Sequence, residues 1–272
     1  MSAPIAFHIM FALVDRRVIF RTPAERVAAY NRLMRIAAPF GLLLVHLGSD
    51  HVHVVVACSP ADVPRFAHAI ECSWTHLLGD GPGFARYHAK AVMDQGHLRT
   101  LVRYILRQDE HHAQSLDPFH LGSNAPDLCG GRAGRGDLRA RFAQFLPSIG
   151  RREIERIVLG ETVRPVRKFG PAPSGLTGES LERHLRGAAA SAVGMWDLVG
   201  KRRPVAEARA ALLRLCRETE LGRTVEHARV LRCHPNYVAT VARRTPSRDI
   251  NDAVSWQVAF RLQRIATRQA VE

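Results

Sequence analysis

The run Asp50-His51-Val52-His53-Val54-Val55-Val56 is the strongest chemical signal in the sequence. Side chains alternate along a strand, so His51 and His53 project to one side while Val52 and Val54 enter the opposite layer. Two imidazoles so placed can chelate one divalent metal. The competing reading is one satisfied core histidine and one surface histidine. Against it, a continuous apolar strand has little reason to carry two polar interruptions on one face. A second signal surrounds Tyr104. Leu98, Leu101, Val102 and Ile105 sit at i, i+3, i+4 and i+7, the spacing of a core stripe. At roughly 100° per residue, Tyr104 and Gln108 fall on the flank of that stripe, one turn apart. Arg99, Arg103 and Arg107 occupy the far side. The spacing predicts a phenol and an amide oxygen emerging where a helix edge meets a sheet, with guanidinium groups near the same groove. Taken alone, a tyrosine at a core boundary simply reaches water with its hydroxyl, and three arginines on one face are a solvated surface.

The elements that must position these groups alternate through the first third of the chain. Ile5 to Val14 reads as a strand, and its pattern extends through Arg17-Val18-Ile19-Phe20. Thr22-Pro23-Ala24-Glu25 combines a capping hydroxyl, a first-turn proline and a glutamate able to reach back, which predicts a helix to about Ala38, before Pro39 and Gly41. Leu42–Leu47 and His51–Ala57 read as strands. Ser59-Pro60-Ala61-Asp62 repeats the start signals for a helix ending near Gly79. Phe84–Val92 is too short to assign, and His97 to about Gln108 reads as a helix. This order predicts an α+β fold with a mostly antiparallel sheet. Asp117–Asp137, with two prolines and five glycines, reads as loop or linker. Leu138–Leu146 and Arg151–Val158 read as short helices, Val163–Gly178 as a second flexible stretch, and the chain from Ser180 onward as helical. The expected division is a catalytic domain over 1–116, a linker with short helices over 117–200, and an all-α region over 201–272.

His51-Val52-His53 on a sheet strand, followed by Tyr104-Ile105-Leu106-Arg107-Gln108 on a later helix, resembles the single-tyrosine HUH transposases. These are the insertion-sequence-200-like enzymes, with the REP-associated tyrosine transposases as relatives. The resemblance covers about residues 4–115. REP-associated members typically follow the tyrosine with an Asn-Pro-containing stretch, whereas Arg107-Gln108-Asp109-Glu110-His111-His112 follows here, so the match at this helix is closer to the insertion-sequence branch. The resemblance implies a ferredoxin-like or RRM-like sheet domain and a homodimer, with the tyrosine helix of one subunit able to serve the other's histidines. It implies single-stranded DNA, carrying a hairpin, as substrate. Tyr104 would attack a phosphodiester, forming a 5′-phosphotyrosine bond and releasing a 3′-hydroxyl. A phenol of pKa about 10 is mostly protonated at neutral pH, and the phosphodiester is anionic, so the reaction needs a Lewis acid. His51, His53 and Gln108 would hold Mg²⁺ or Mn²⁺. No general base is obvious. His112 continues the row of Tyr104 and Gln108, but a solvated helix end accounts for His111 and His112. His8, His46 and His97 read as structural.

Towards the other end, Arg223–Leu231 followed by Cys233–Arg244 has the form of a helix-turn-helix, in which Val225, Ala228, Val230, Leu231, Val238 and Val241 pack inward. Asn236, Tyr237, Thr240, Arg243 and Arg244 are then available to a DNA groove, with Ala206–Leu215 completing a three-helix unit. A generic helical bundle is the plainer reading. His120 and Cys129 match no usual zinc spacing. Composition agrees with a nucleic-acid partner. Among 272 residues, Lys and Arg number 39 against 25 acids, a formal charge of +14, and only Lys90, Lys168 and Lys201 are lysines. Base composition of the coding DNA could also raise arginine. Hydrophobic residues at 46% supply a core, which excludes bulk disorder. The apolar start from Pro4 to Val14 is too short to span a bilayer, where about 20 residues are needed. With no CxxC pair among five cysteines, a cytoplasmic location is expected. Two other functions predict different behaviour: a host-adopted DNA-binding regulator that keeps the fold without turnover, and a metal-dependent hydrolase that does not need Tyr104.

Overall fold

The computed structural model describes residues 3–79, 83–108, 121–134, 136–159, 178–218 and 224–269. The chain divides into two compact units: Met1–Leu128 with Asp137–Val158, and Cys129–Gly136 with Leu159–Glu272. The expected linker region, 117–200, thus contributes residues to both.

The first unit is α+β, built on a four-stranded antiparallel sheet. Its elements run β1 (Ala6–Ala12), α1 (Pro23–Ala37), β2 (Leu42–Leu47), β3 (His51–Val56), α2 (Asp62–Leu78), β4 (His88–Val92) and α3 (Gln95–Leu106). Strand order is β2-β3-β1-β4. Helix α1 begins where the sequence signals converge: Thr22 accepts from the Glu25 backbone N–H, and Glu25 reaches back to the N–H of Thr22. Alternation then sorts the sheet. Phe7, Ile9 and Phe11 stand opposite Val56, Val54 and Val52 across the β1–β3 ladder. On that face the Phe11 ring meets Phe66 and Trp74 of α2, and the Trp74 indole N–H donates to the Ala29 carbonyl of α1. The opposite face carries His8, His51 and His53, and Tyr104 of α3 meets His53 there.

Three expectations are corrected. The pattern at Arg17–Phe20 does not extend β1, because Arg16 turns the chain with φ 57° and the Ile19 N–H bonds to Ser49 O. The residues still bury Ile19 and Phe20 in the core. Helix α3 starts and ends about two residues earlier than expected. Asp94 caps it by accepting from the His97 N–H, and Arg107 has already left helical geometry at φ −105°, ψ 18°. The described part of Asp117–Asp137 is not solvated loop. Leu47 N–H donates to Gly122 O, Asn124 N–H donates to Val45 O, and the Asn124 side chain accepts from Val45 N–H and donates to Leu43 O. An edge strand leaves alternate backbone groups unpaired. Here a buried asparagine and its neighbours satisfy those of β2, and the helical turn α4 (Ala125–Leu128) follows. Asp127 then accepts from the Tyr30 hydroxyl at 2.6 Å. The two short helices expected next are present as α5 (Gly136–Phe145) and α6 (Arg151–Leu159).

The second unit is helical: α7 (Gly178–Ala192), α8 (Arg203–Glu218), α9 (Thr224–Val230), α10 (Pro235–Ala242) and α11 (Arg248–Gln269). Small residues of α7 (Ala188, Ala189, Ala192) and α8 (Ala208, Ala211) share one core with Leu212, Ala253, Val254 and Val258. Buried Arg209 is satisfied by the carbonyls of Leu198, Gly200 and Leu231. The expected flexible stretch over 163–177 lies outside the described residues. Among the described residues, no helix is long and apolar enough to cross a membrane.

Candidate active site

The turn between β2 and β3 is three residues long, Gly48-Ser49-Asp50. A Cβ at Gly48 would sit 2.7 Å from the His51 carbonyl oxygen, so glycine is needed for the chain to close here. The turn delivers His51 and His53 to the sheet face away from α1 and α2. The two rings lie 4.7 Å apart and nearly perpendicular at 84°. His53 is fully buried, and its ring centroid is 5.7 Å from that of Tyr104. Because Arg107 tightens the end of α3, Gln108 does not stay level with Tyr104. It turns inward to 2% exposure, while Tyr104 remains 41% exposed. The Gln108 amide Nε2 then lies 3.2 Å from His51 Nε2. All four residues predicted from the sequence therefore gather on one face of one unit, from a single chain. The tyrosine is exposed, His51 is half-buried, and His53 and Gln108 are buried.

Among the described residues, Asp50 and His8 also touch this group, and the sequence reading gave neither a part in it. Asp50 Oδ1 is 2.7 Å from His51 Nδ1. His8 Nε2 is 2.9 Å from His53 Nδ1, with the two rings near parallel at 19°. His8 stands opposite Val55 in the ladder and so reaches His53 on the diagonal. Burial, aided by His88, His97 and Lys90, pushes the His8 imidazole down to about 4, so it is neutral at pH 7. His8 interrupts the apolar run of β1 just as His51 and His53 interrupt β3, and that local signal could have found it. His46 faces His53 across the β2–β3 pair and is buried.

The donor set fits a hard or borderline divalent ion. A carboxylate only accepts, so the proton between Asp50 and His51 sits on Nδ1, and in a neutral His51 ring the lone pair is then on Nε2. Rotation of the Gln108 amide exchanges its NH₂ for its oxygen on the same side. Two imidazoles and one amide oxygen would leave positions for water and substrate. Among the described residues, no group of three or more His, Cys, Asp or Glu is placed to hold a metal, so the candidate set stands on the two histidines with Gln108.

Arg99 and Arg103 on α3 and Arg107 just past its end are all exposed. Arg103 is paired with Glu153 of α6 at 2.9 Å, and Arg156 shares that carboxylate. His97 lies at the other end of α3, half-buried, while His111, His112 and His120 lie outside the described residues.

In the second unit, α9 and α10 are joined by a turn in which Arg232 has φ 48°. His234 Nδ1 accepts from the Asn236 N–H, and Pro235 occupies the first position of α10. Ala228, Val230, Leu231, Val238 and Val241 are buried, as the packing pattern requires. The Val225 side chain lies outside the described residues. Asn236, Tyr237, Arg243 and Arg244 are exposed and Thr240 is half-buried, so the five share the outer side of α10 and its end.

Comparison of the chain with known protein families and with curated proteins returns no match.

Proposed function

We propose that this chain nicks and rejoins single-stranded DNA by metal-dependent transesterification, using Tyr104 as nucleophile, in the manner of the single-tyrosine HUH transposases it resembles. The observation that carries the reading is the convergence of an exposed phenol, two imidazoles of one strand and a buried amide within a single chain. A β-α-β-β-α-β succession with strand order β2-β3-β1-β4, all antiparallel, supports a ferredoxin-like HUH domain.

In the proposed reaction the Tyr104 oxygen bonds to phosphorus and the P–O3′ bond breaks. The phenolic proton is given up and the departing 3′ oxygen leaves as an alcohol, so no water is consumed. The phosphotyrosine bond retains the energy needed to join a second DNA end. His51, His53 and Gln108 would hold Mg²⁺ or Mn²⁺, which when bound offsets charge developing on the phosphate oxygens. The edge contact of the Tyr104 ring with His53 would limit the motion of the phenol, which lowers the entropic cost of attack. With all four groups supplied by one chain, a homodimer on this reading need not exchange tyrosine helices. On this reading Arg99, Arg103 and Arg107 are the candidates for phosphate contacts, and α9 and α10, with α8, would act as a helix-turn-helix that presents Asn236, Tyr237, Thr240, Arg243 and Arg244 to duplex DNA. The location on this reading is the cytoplasm.

The test is a labelled, hairpin-bearing single strand incubated with the purified protein and Mn²⁺ or Mg²⁺. A covalent adduct that survives denaturation is expected, lost without metal and lost in Tyr104→Phe. Binding with no adduct would instead identify a regulator, and cleavage that survives Tyr104→Phe but not His51→Ala would identify a hydrolase.

A further inference from the structure

We infer that Asp50 and His8 are positioning residues for the two candidate metal-binding histidines: each occupies Nδ1 of its partner and so commits that ring to present Nε2 to the ion. The inference rests on the metal site proposed above and assigns its outer partners.

An imidazole has two nitrogens, and a neutral ring can ligate only through the one without a proton. Which nitrogen that is depends on the hydrogen bond made by the other. For His51 the assignment follows from chemistry. Asp50 Oδ1, at 2.7 Å, accepts the Nδ1 proton, so Nε2 is an acceptor. The Gln108 amide Nε2 at 3.2 Å is a donor of matching polarity on that side. For His53 the partner is another imidazole. Two polarities are open to the His8 Nε2–His53 Nδ1 contact at 2.9 Å; the one in which His8 accepts from His53 Nδ1–H leaves the lone pair of His53 on Nε2, and it is the one that a metal at that nitrogen requires. The two contacts thus favour the same tautomer in both rings, though their sources differ: Asp50 is the residue before His51, whereas His8 comes from β1 across the ladder. They also differ in strength. A charge-assisted bond to a carboxylate holds its histidine more firmly than a bond to an imidazole does, so loss of Asp50 should weaken metal binding more than loss of His8.

The tautomers are readable without metal or activity. Long-range ¹H–¹⁵N correlation spectra of the full-length, metal-free, ¹⁵N-labelled protein should show His51 and His53 both protonated on Nδ1. In His8→Phe, His53 should lose that preference and His51 keep it, and Asp50→Ala should do the reverse. Mn²⁺ affinity, followed by water-proton relaxation, should fall about 10- to 100-fold in each variant. His8→Gln, which restores an acceptor, should recover part of the loss. A proton on Nε2 of either ring in the wild type would overturn the inference, and so would Mn²⁺ affinity unchanged in both variants while the wild type binds. If the wild-type tautomers are as stated but no Mn²⁺ binds at all, the metal site itself fails and the outer-partner role falls with it.

Discussion

At the scale of single residues, Gln108 and Tyr104 show how one helix end gives two nearby side chains different surroundings. The residues are four apart, yet one is buried and one is open, because the backbone departs from the helix at Arg107. The split predicts separable phenotypes. Gln108→Leu should keep the fold, since an apolar side chain suits a buried position, and should weaken Mn²⁺ binding by about tenfold or more in a fluorescence or relaxation titration. Tyr104→Phe should leave Mn²⁺ binding unchanged and abolish the DNA adduct. A second residue-level expectation concerns thiols. Burial pushes the Cys216 thiol up to about 12, so almost none is thiolate at pH 8. Cys72 is exposed. Mass spectrometry after brief alkylation of the native protein should find Cys72 labelled and Cys216 untouched until denaturant is added.

At the scale of elements, stability depends on a few side chains that complete backbone hydrogen bonding. Asn124 is fully buried and satisfies both a donor and an acceptor of β2. Asn124→Ala leaves buried partners unpaired and should cost about 2–3 kcal/mol, measured by urea denaturation. It should also loosen the strand that carries His46 beside the site. Thr22→Ala removes the hydroxyl of the α1 capping box and should cost about 1 kcal/mol. In the helical unit, Glu207 joins α8 to the approach to α11, accepting from the Arg203 guanidinium at 2.7 Å and the Ser247 backbone N–H at 3.0 Å. Those bonds, Arg203's first, hold its carboxyl below the ordinary 4.5. A depressed carboxyl adds stability that is present above pH 4.5 and is lost as pH falls below that through its folded value. Glu207→Gln should therefore be less stable than wild type at neutral pH and should lose less on acidification, a comparison made by thermal melts from pH 7 to 3.

At the scale of the whole molecule, the +14 charge sets a long-range attraction for nucleic acid that is sequence-independent and screened by salt. The two units would use it differently on the proposed reading, one for a single strand at the tyrosine and one for a duplex groove at α10. A double variant of the full-length chain, Arg243→Ala with Arg244→Ala, should weaken duplex binding and reduce its salt slope by about 2. Adduct formation on an unstructured single strand should stay near wild type. Equal loss in both assays would mean that the outer side of α10 has no separate role.

What was legible from the sequence is local and periodic. Alternation alone put His51 and His53 on one face, and helical spacing alone gave α3 its buried stripe, because each follows from backbone geometry within a few residues. The capping signals at Thr22 were equally local. Pairing between distant segments was not legible. Whether His8 meets His53 depends on the register of β1 against β3, where a slip of one residue would turn every side chain to the other face. Asn124 finds the edge of β2 across some 80 residues of chain. Only folded packing brings such groups together, since the energy that selects these contacts comes from burial and long-range hydrogen bonding, which leave little periodic trace in sequence.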